Sequence, residues 1–344
     1  MSRLLYLDAL RGIAALLVVL THLLEPLFGD WWLFRQWLDP GKLGVLWFFM
    51  ISGMVIPGSL GPQGGVRRFV VSRFLRLYPA YWLSLLLYLA MLKLNGLPVP
   101  GWPQIAANLT MMQLALGHPD VIGLYWTLFI EWVFYGVCVL LYLGGVLHTL
   151  VTRIRCTLLF IAVAFSMAML RELTDRKLPV ALPLALALMF FGSIWRQWLL
   201  QPRTAELKRG LAQVLGAFTV VLPFTLMLAY QQDMGNGETW SRYLVTYTLA
   251  IVSFLLLTGC LRFQHPVLLW LGAVSYSVYL LHPSMALLAW HLLRGVDTPL
   301  LFVTLAMVLT LVSARVSLRF VETPFIQLGR YLNRRNARTH EIRV

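Results

Sequence analysis

The sequence predicts an all-α, polytopic membrane protein with about ten transmembrane helices and cytoplasmic N- and C-termini. Three observations predict it. Hydrophobic residues make up 59% of the 344 positions and charged residues only 12%, against about 45–50% and about 25% in soluble domains. Apolar runs recur from end to end, each close to the ~20 residues that a helix needs to cross a bilayer. Lys and Arg collect in alternate connections, as cytoplasmic loops require. A soluble enzyme, a disordered chain and a collagen-like fibre are excluded. So is an outer-membrane barrel, whose strands are short and polar at every second residue.

The expected spans are 4–27, 41–60, 76–94, 122–145, 154–171, 179–198, 210–230, 243–261, 268–293 and 299–320. The second is rich in glycine and reads as a candidate broken helix. Segment 103–116 is too short to span, so it lies at the interface or re-enters. The stretch 61–75 reads as a basic inner loop. An even number of spans puts both ends on one side. With the N-terminus inside, the inner segments hold 18 Lys or Arg and 3 acids, and the outer segments hold 8 and 9. The resulting +15 against −1 accounts for the formal net charge of +14 without nucleic acid. The basic end 330–343 (Arg330, Arg334, Arg335, Arg338, Arg343) reads as a solvated tail attracted to lipid. The division expected is a transmembrane domain over 1–328 and a basic cytoplasmic tail over 329–344. The first apolar run carries Asp8 and Arg11 and is too long for the core of a cleavable signal. The cysteines, Cys138, Cys156 and Cys260, have neither disulfide-framework nor metal spacing, so no metal is expected.

A charge at the centre of a membrane helix costs about 2.5–3.5 kcal/mol on insertion scales. Arg11, His22 and Glu131 are therefore candidates for function. Arg11 and His22 share the first span, 11 residues apart, or about 16.5 Å at 1.5 Å per residue. Eleven steps of ~100° return to within ~20° of the start, so both lie on one stripe. Asp8 precedes Arg11 by three residues and can pair with it. The alternative is structural: Arg11 snorkels inward with Asp8, and His22 binds a backbone carbonyl. Glu131 lies at a depth similar to His22 and can orient an imidazole, or it pairs with another group such as Arg11 for packing. Ser275, Tyr276, Ser277, Tyr279 and His282 make a polar run in the ninth span, lining a cavity or bonding between helices. Arg73 and Arg76 share a helix face at i, i+3 just before Leu77-Tyr78-Pro79. Two such guanidiniums suit phosphate, or they serve topology alone. Trp31, Trp32, Trp37, Trp102, Trp126 and Trp240 near outer ends anchor the interface or stack on sugars.

These groups fall within ordered motifs. Tyr6-Leu7-Asp8-Ala9-Leu10-Arg11-Gly12 leads to His22. Gly44-Val45 runs through Phe48-Phe49 to Ser52-Gly53. Arg73-Phe74-Leu75-Arg76-Leu77-Tyr78-Pro79 is third, and Trp126-Thr127-Leu128 with Glu131 and Phe134-Tyr135 is fourth. Leu271-Gly272 with Ser275, Tyr276, Ser277, Tyr279 and His282 follows, then Glu322-Thr323-Pro324-Phe325. The chain resembles acyltransferase family 3, the membrane-bound O-acetyltransferases of the exopolysaccharide- and lipopolysaccharide-modifying type. The resemblance implies a ten-span transferase of the bacterial inner membrane that takes acetyl groups from cytoplasmic acetyl-CoA as co-substrate. Its acceptor is a carbohydrate hydroxyl, free or lipid-linked; its other partners are membrane lipid and, in some arrangements, a second copy of itself. Some relatives carry an appended extracytoplasmic domain for which this length leaves no room.

In this reading His22, Glu131 and Arg11 are catalytic. Arg73, Arg76, Arg11 and Tyr78 bind the coenzyme. Trp126, Ser275, Tyr279 and His282 face the acceptor or the developing oxyanion. His22 acts as base on the acceptor hydroxyl, or accepts the acetyl group itself. Competing readings are a lipid, antibiotic or peptidoglycan acceptor, another short acyl group, a secondary transporter, and a non-catalytic partner in polysaccharide export.

Overall fold

The structure is a computed structural model that describes residues 4–28, 31–61, 65–231, 239–296 and 298–341. Among these residues there is no strand, and ten helical segments are long and apolar enough to cross a membrane. The helices are α1 (Leu5–Phe28), α2 (Trp32–Gln36), α3 (Pro40–Val55), α4 (Gly65–Leu94), α5 (Trp102–Leu109), α6 (Trp126–Leu143), α7 (Leu150–Thr174), α8 (Ala181–Leu200), α9 (Ala205–Tyr230), α10 (Trp240–Leu256), α11 (Pro266–Leu292), α12 (Pro299–Ser317) and α13 (Thr323–Glu341). The chain is a multi-pass, all-α membrane protein.

Two boundaries depart from the sequence reading. The basic stretch expected as a loop is helical from Gly65, so Arg67, Arg68, Arg73 and Arg76 all ride on α4. Hydropathy falls where the bilayer ends, but backbone hydrogen bonding does not, and Arg is a good helix former. The first part of that stretch, Pro62, Gln63 and Gly64, lies outside the described residues. At the other end, α12 passes through a π turn, Leu318–Glu322, into α13. The boundary expected at 328/329 therefore falls inside a helix that continues to Glu341. Arg343 is outside the described residues. The short segment after the fourth helix is α5, only 8 residues long, too short to span.

The chain divides into two compact units, Met1–Gly58 with Ile130–Leu269, and Ser59–Phe129 with Trp270–Val344.

In the first unit α3 and α8 form the centre. Their membrane-length windows are 67% and 72% buried, against 28% for α7 and α10. The span containing α3 is unbroken through Val55, and its glycines serve close packing. A Cβ built on Gly53 would lie 1.8 Å from the carbonyl oxygen of Met189 on α8, and one on Gly192 of α8 would lie 2.2 Å from that of Met50. Each helix thus presents a glycine to the other's backbone. Between apolar helices in lipid, association comes from such close van der Waals contact and Cα–H···O approach. Gly44 repeats the device against α1, 2.5 Å from the Ala14 oxygen. Buried indoles find partners: Trp47 Nε1 donates to the Ala250 carbonyl at 3.1 Å, and Trp195 Nε1 to Thr258 Oγ1 at 2.8 Å.

In the second unit α11 is the most buried span, at 67%, and α4 packs on α13. The connection after α4 is tied down by side chains. Tyr78, Tyr81 and Trp82, on one face of α4, donate to the carbonyls of Thr110, Asn108 and Leu109. Those carbonyls end α5 and have no partner within the helix. Asn108 is fully buried. Its amide donates to the carbonyls of Gln104 and Pro119 and accepts from the Val121 N–H.

Candidate active site

The first unit holds the three residues expected to be catalytic. Arg11 and His22 both ride on α1, which is helical throughout, so the shared stripe is a property of one rigid rod. Arg11 Nη1 meets Asp8 Oδ1 at 3.4 Å, the i, i+3 pair that the sequence suggested. His22 is exposed on the unit while its neighbour Leu23 is buried. Glu25 and Asp39 act on it electrostatically. Sequence reasoning passed over both, although Asp39 carries a helix-start signal: it stands before Pro40 and accepts from the Lys42 N–H at 2.8 Å as the cap of α3. Arg242 Nη2 holds its carboxylate at 3.4 Å, and its backbone N–H donates to Thr246 Oγ1 at 3.0 Å.

Glu131 sits one turn into α6. Tyr135, four residues on, donates its hydroxyl to Glu131 Oε1 at 2.6 Å, and Ser52 of α3 donates to the same oxygen at 3.3 Å. The carboxylate is therefore oriented by two hydroxyls from different helices. Ser52 adjoins Gly53, so the close α3–α8 crossing also sets the position of this donor.

The second unit holds the residues expected to face the acceptor and, apart from Arg11, those expected to bind the coenzyme. Arg76 is exposed on α4, and the Arg73 guanidinium lies 5.6 Å from the centre of the Phe69 ring. The Tyr78 ring stacks on Phe74 with centroids 4.4 Å apart, while its hydroxyl donates to Thr110. Glu322, in the motif after α12, is buried in the π turn; it accepts from Ser277 Oγ and has Arg76 as a charged neighbour. The sequence presented Glu322 and Arg76 as members of separate motifs, and the packing of α13 on α4 makes them neighbours.

The polar run of α11 is largely engaged. Tyr279 shares a 2.8 Å hydrogen bond with Thr127 Oγ1 and donates to the Leu124 carbonyl at 3.2 Å. Ser275 donates to Gly272 within its own helix, and Tyr276 to the Leu77 carbonyl of α4. His282 is 1% exposed, and its Nδ1 lies 2.8 Å from the Tyr279 carbonyl. That carbonyl is the one Pro283 leaves without its i−4 partner, so the imidazole replaces the missing N–H. Trp126 begins α6, where its backbone N–H bonds to Asp120. Burial pushes the Asp120 carboxyl above the usual range, against the opposing effect of hydrogen bonds from Gln113 and Trp126.

The family model described as an acyltransferase domain matches residues 4–317. This chain belongs to the acyltransferase family 3. The staphylococcal relatives include "Putative O-acetyltransferase SACOL0978" of Staphylococcus aureus (strain COL), 24% identical, with 94% of this chain and 57% of the relative covered. The chain thus spans little more than half the length of these relatives. "Protein 2 in picA locus" of Rhizobium radiobacter is 38% identical over 29% of this chain and 52% of its own length. "Nodulation protein 10" of Rhizobium leguminosarum bv. viciae is 30% identical over 37% and 41%. No solved structure matches.

Proposed function

We propose that the chain is an O-acyltransferase of the bacterial inner membrane. It moves an acetyl group from cytoplasmic acetyl-CoA to a carbohydrate hydroxyl of an exopolysaccharide or its lipid-linked precursor. The observation that carries the reading is the unbroken α1, with a guanidinium and an imidazole on one stripe, in a chain matched to the family over nearly its whole length.

In this mechanism His22 takes the proton of the acceptor hydroxyl, as a group titrating near neutral pH is suited to do. The oxygen bonds to the thioester carbonyl carbon. The tetrahedral intermediate collapses with cleavage of the C–S bond, and the leaving thiolate takes the proton back from the imidazolium. Glu25 and Asp39 offset the imidazolium charge, and Glu131, oriented by Ser52 and Tyr135, is the third carboxylate of that unit assigned to it. Arg11 holds the coenzyme end of the stripe. Arg73 and Arg76 supply planar donors for the coenzyme's phosphates, and Tyr78 contributes its ring.

The test is labelled acetyl-CoA with purified protein and candidate glycans, read by product mass, with His22→Ala beside wild type. Loss of a general base lowers the rate by about 10²–10⁴. Normal transfer by His22→Ala removes the base assignment. Unchanged coenzyme affinity in Arg73→Ala and Arg76→Ala removes theirs.

A further inference from the structure

A row of cations and aromatic rings that the proposed reaction does not use crosses one end of the first unit, where α7 and α9 finish and α3 and α10 begin. Arg171 stands in the last turn of α7. Its guanidinium carbon lies 5.2 Å from the centre of the Tyr230 ring, on the final residue of α9. Tyr230 stacks on Tyr243 of α10, with centroids 3.8 Å apart and ring planes 18° from parallel. Lys42, in the first turn of α3, places Nζ 3.5 Å from the centre of the Tyr243 ring and donates to the hydroxyl of that residue. Four helices are thus joined in three steps, with a cation at each end and two phenols between.

The Arg171 end of this row is short of an acceptor. Arg171 is 5% exposed, and its Nη2 is buried without a hydrogen-bond partner. A cation in the last turn of a helix ordinarily binds the final carbonyls or reaches water. Here the guanidinium turns to a tyrosine ring, which attracts its charge but gives Nη2 no acceptor. A buried donor left without a partner is costly, and more so when charged. The Lys42 end is half-buried and lies beside the proposed base. Asp39, which accepts from the Lys42 N–H, acts electrostatically on His22. A Cβ built on Gly41, next to Lys42, would lie 3.2 Å from the Cβ of Thr21, next to His22. Trp240, exposed, opens α10 three residues before Tyr243 and offers an apolar face to the C–H side of a sugar ring.

We propose that Arg171, at the end of the row Lys42–Tyr243–Tyr230, anchors a subsite for the carboxylate of an acidic sugar, so that the acceptor is an anionic saccharide rather than a neutral one. A guanidinium pairs both oxygens of a carboxylate through parallel N–H donors, and such a pair supplies the acceptor that Nη2 lacks. In the orientation read from the loop charges this end faces away from the cytoplasm, the side on which a finished polysaccharide lies. The ligand's role as acceptor rests on the acetyl-transfer reading; the subsite itself rests on the geometry of the first unit.

The experiment uses the full chain in nanodiscs of phosphatidylcholine, without acetyl-CoA. Two probes are titrated in parallel: a tetrasaccharide of alternating glucose and glucuronic acid, and the same tetrasaccharide with its carboxyls reduced to alcohols. Wild type should bind the acidic probe more tightly by about tenfold or more, the value of a charge-assisted bond. R171Q should lose that preference, and R171K should keep part of it, because one ammonium does not pair both carboxylate oxygens. Equal binding of the two probes by wild type overturns the proposal, and so does a preference that R171Q retains. Should R171Q fail to fold, an undiminished preference in R171K overturns it equally. In a further arm phosphatidylglycerol replaces part of the lipid; if it raises the unfolding temperature of wild type and not of R171K, while neither probe binds, the guanidinium serves a lipid headgroup and the proposal falls. Acetyl transfer to both probes is then measured with acetyl-CoA added. A preference in binding with no transfer to either probe sinks the acetyl-transfer reading and leaves the subsite standing; transfer to both probes with equal binding does the reverse.

Discussion

The α3–α8 crossing sets how far apart two helices can be, and a single methyl group measures it. In Gly53→Ala the new Cβ would meet the Met189 carbonyl oxygen at 1.8 Å, and in Gly192→Ala it would meet that of Met50 at 2.2 Å. Ordinary contact begins at 3.4 Å, so the helices must separate by 1.6 Å and 1.2 Å. The obstacles are backbone atoms and cannot rotate away. Overpacking of this kind costs about 1–3 kcal/mol, and Gly53→Ala belongs at the upper end. The two changes are coupled: once one methyl has parted the helices, the second meets less resistance, so the double variant costs less than the two singles together. Gly136→Ala and Gly216→Ala are the controls, because a Cβ there meets nothing within 4 Å and the helix gains by exchanging Gly for Ala. Thermal unfolding of purified protein in detergent reads the difference. Movement of α3 also carries Ser52 away from Glu131, now 3.3 Å distant, so transfer activity should fall with stability in Gly53→Ala. Unfolding temperatures for Gly53→Ala and Gly192→Ala equal to those of the controls, or strict additivity in the pair, would refute the packing argument.

Three further outcomes follow from the side-chain geometry. Tyr135→Phe removes the 2.6 Å donor from Glu131 and should slow acetyl transfer about tenfold or more, since a bond to a charged group is worth about 1.5–3 kcal/mol; an unchanged rate would detach this carboxylate from the chemistry. His282→Ala removes the imidazole that lies 2.8 Å from the Tyr279 carbonyl and should destabilise by about 1–3 kcal/mol, but in a Pro283→Ala background the restored backbone N–H takes over that carbonyl and most of the penalty should vanish; equal penalties in both backgrounds would show that the imidazole has another task. Burial raises the Asp120 carboxyl above its unfolded value near ~3.9, so its contribution to stability is full below that pH and is lost as pH rises through the folded value. Asp120→Asn does not titrate, and its stability relative to wild type, followed by proteolysis of the connection after α4, should increase from acid toward neutral pH; a constant difference would count against the buried carboxyl.

Much of the site was legible because it lies along single helices. Arg11 and His22 share α1, and Arg73 and Arg76 share the start of α4, so helical periodicity relates them. The aromatic triplet Tyr78, Tyr81 and Trp82 is one helix face as well, but its role in ending α5 depends on where α5 lies. Asp39 and Glu25 were passed over because membrane-buried charge was the search criterion and both fall near a helix end. Ser52 and Glu131 are 79 residues apart, and Ser277 and Glu322 are 45 apart; no periodicity spans such distances. His282 illustrates the reverse case. It reads as a cavity-lining group until its position next to Pro283 is combined with the geometry of the freed carbonyl.

The sequence by itself determined the solvent, the number of membrane-length helices and the family. Each follows from local composition: twenty apolar residues in a row have one stable state in lipid, and motifs keep their order along the chain. Only the tertiary structure decided which glycines are contact points, that Asp39 acts on His22, and what orients Glu131. These are relations between helices. In a bilayer the lipid is as apolar as the side chains, so hydrophobicity places a helix in the membrane but leaves the choice of its neighbour to close packing and a few polar bonds.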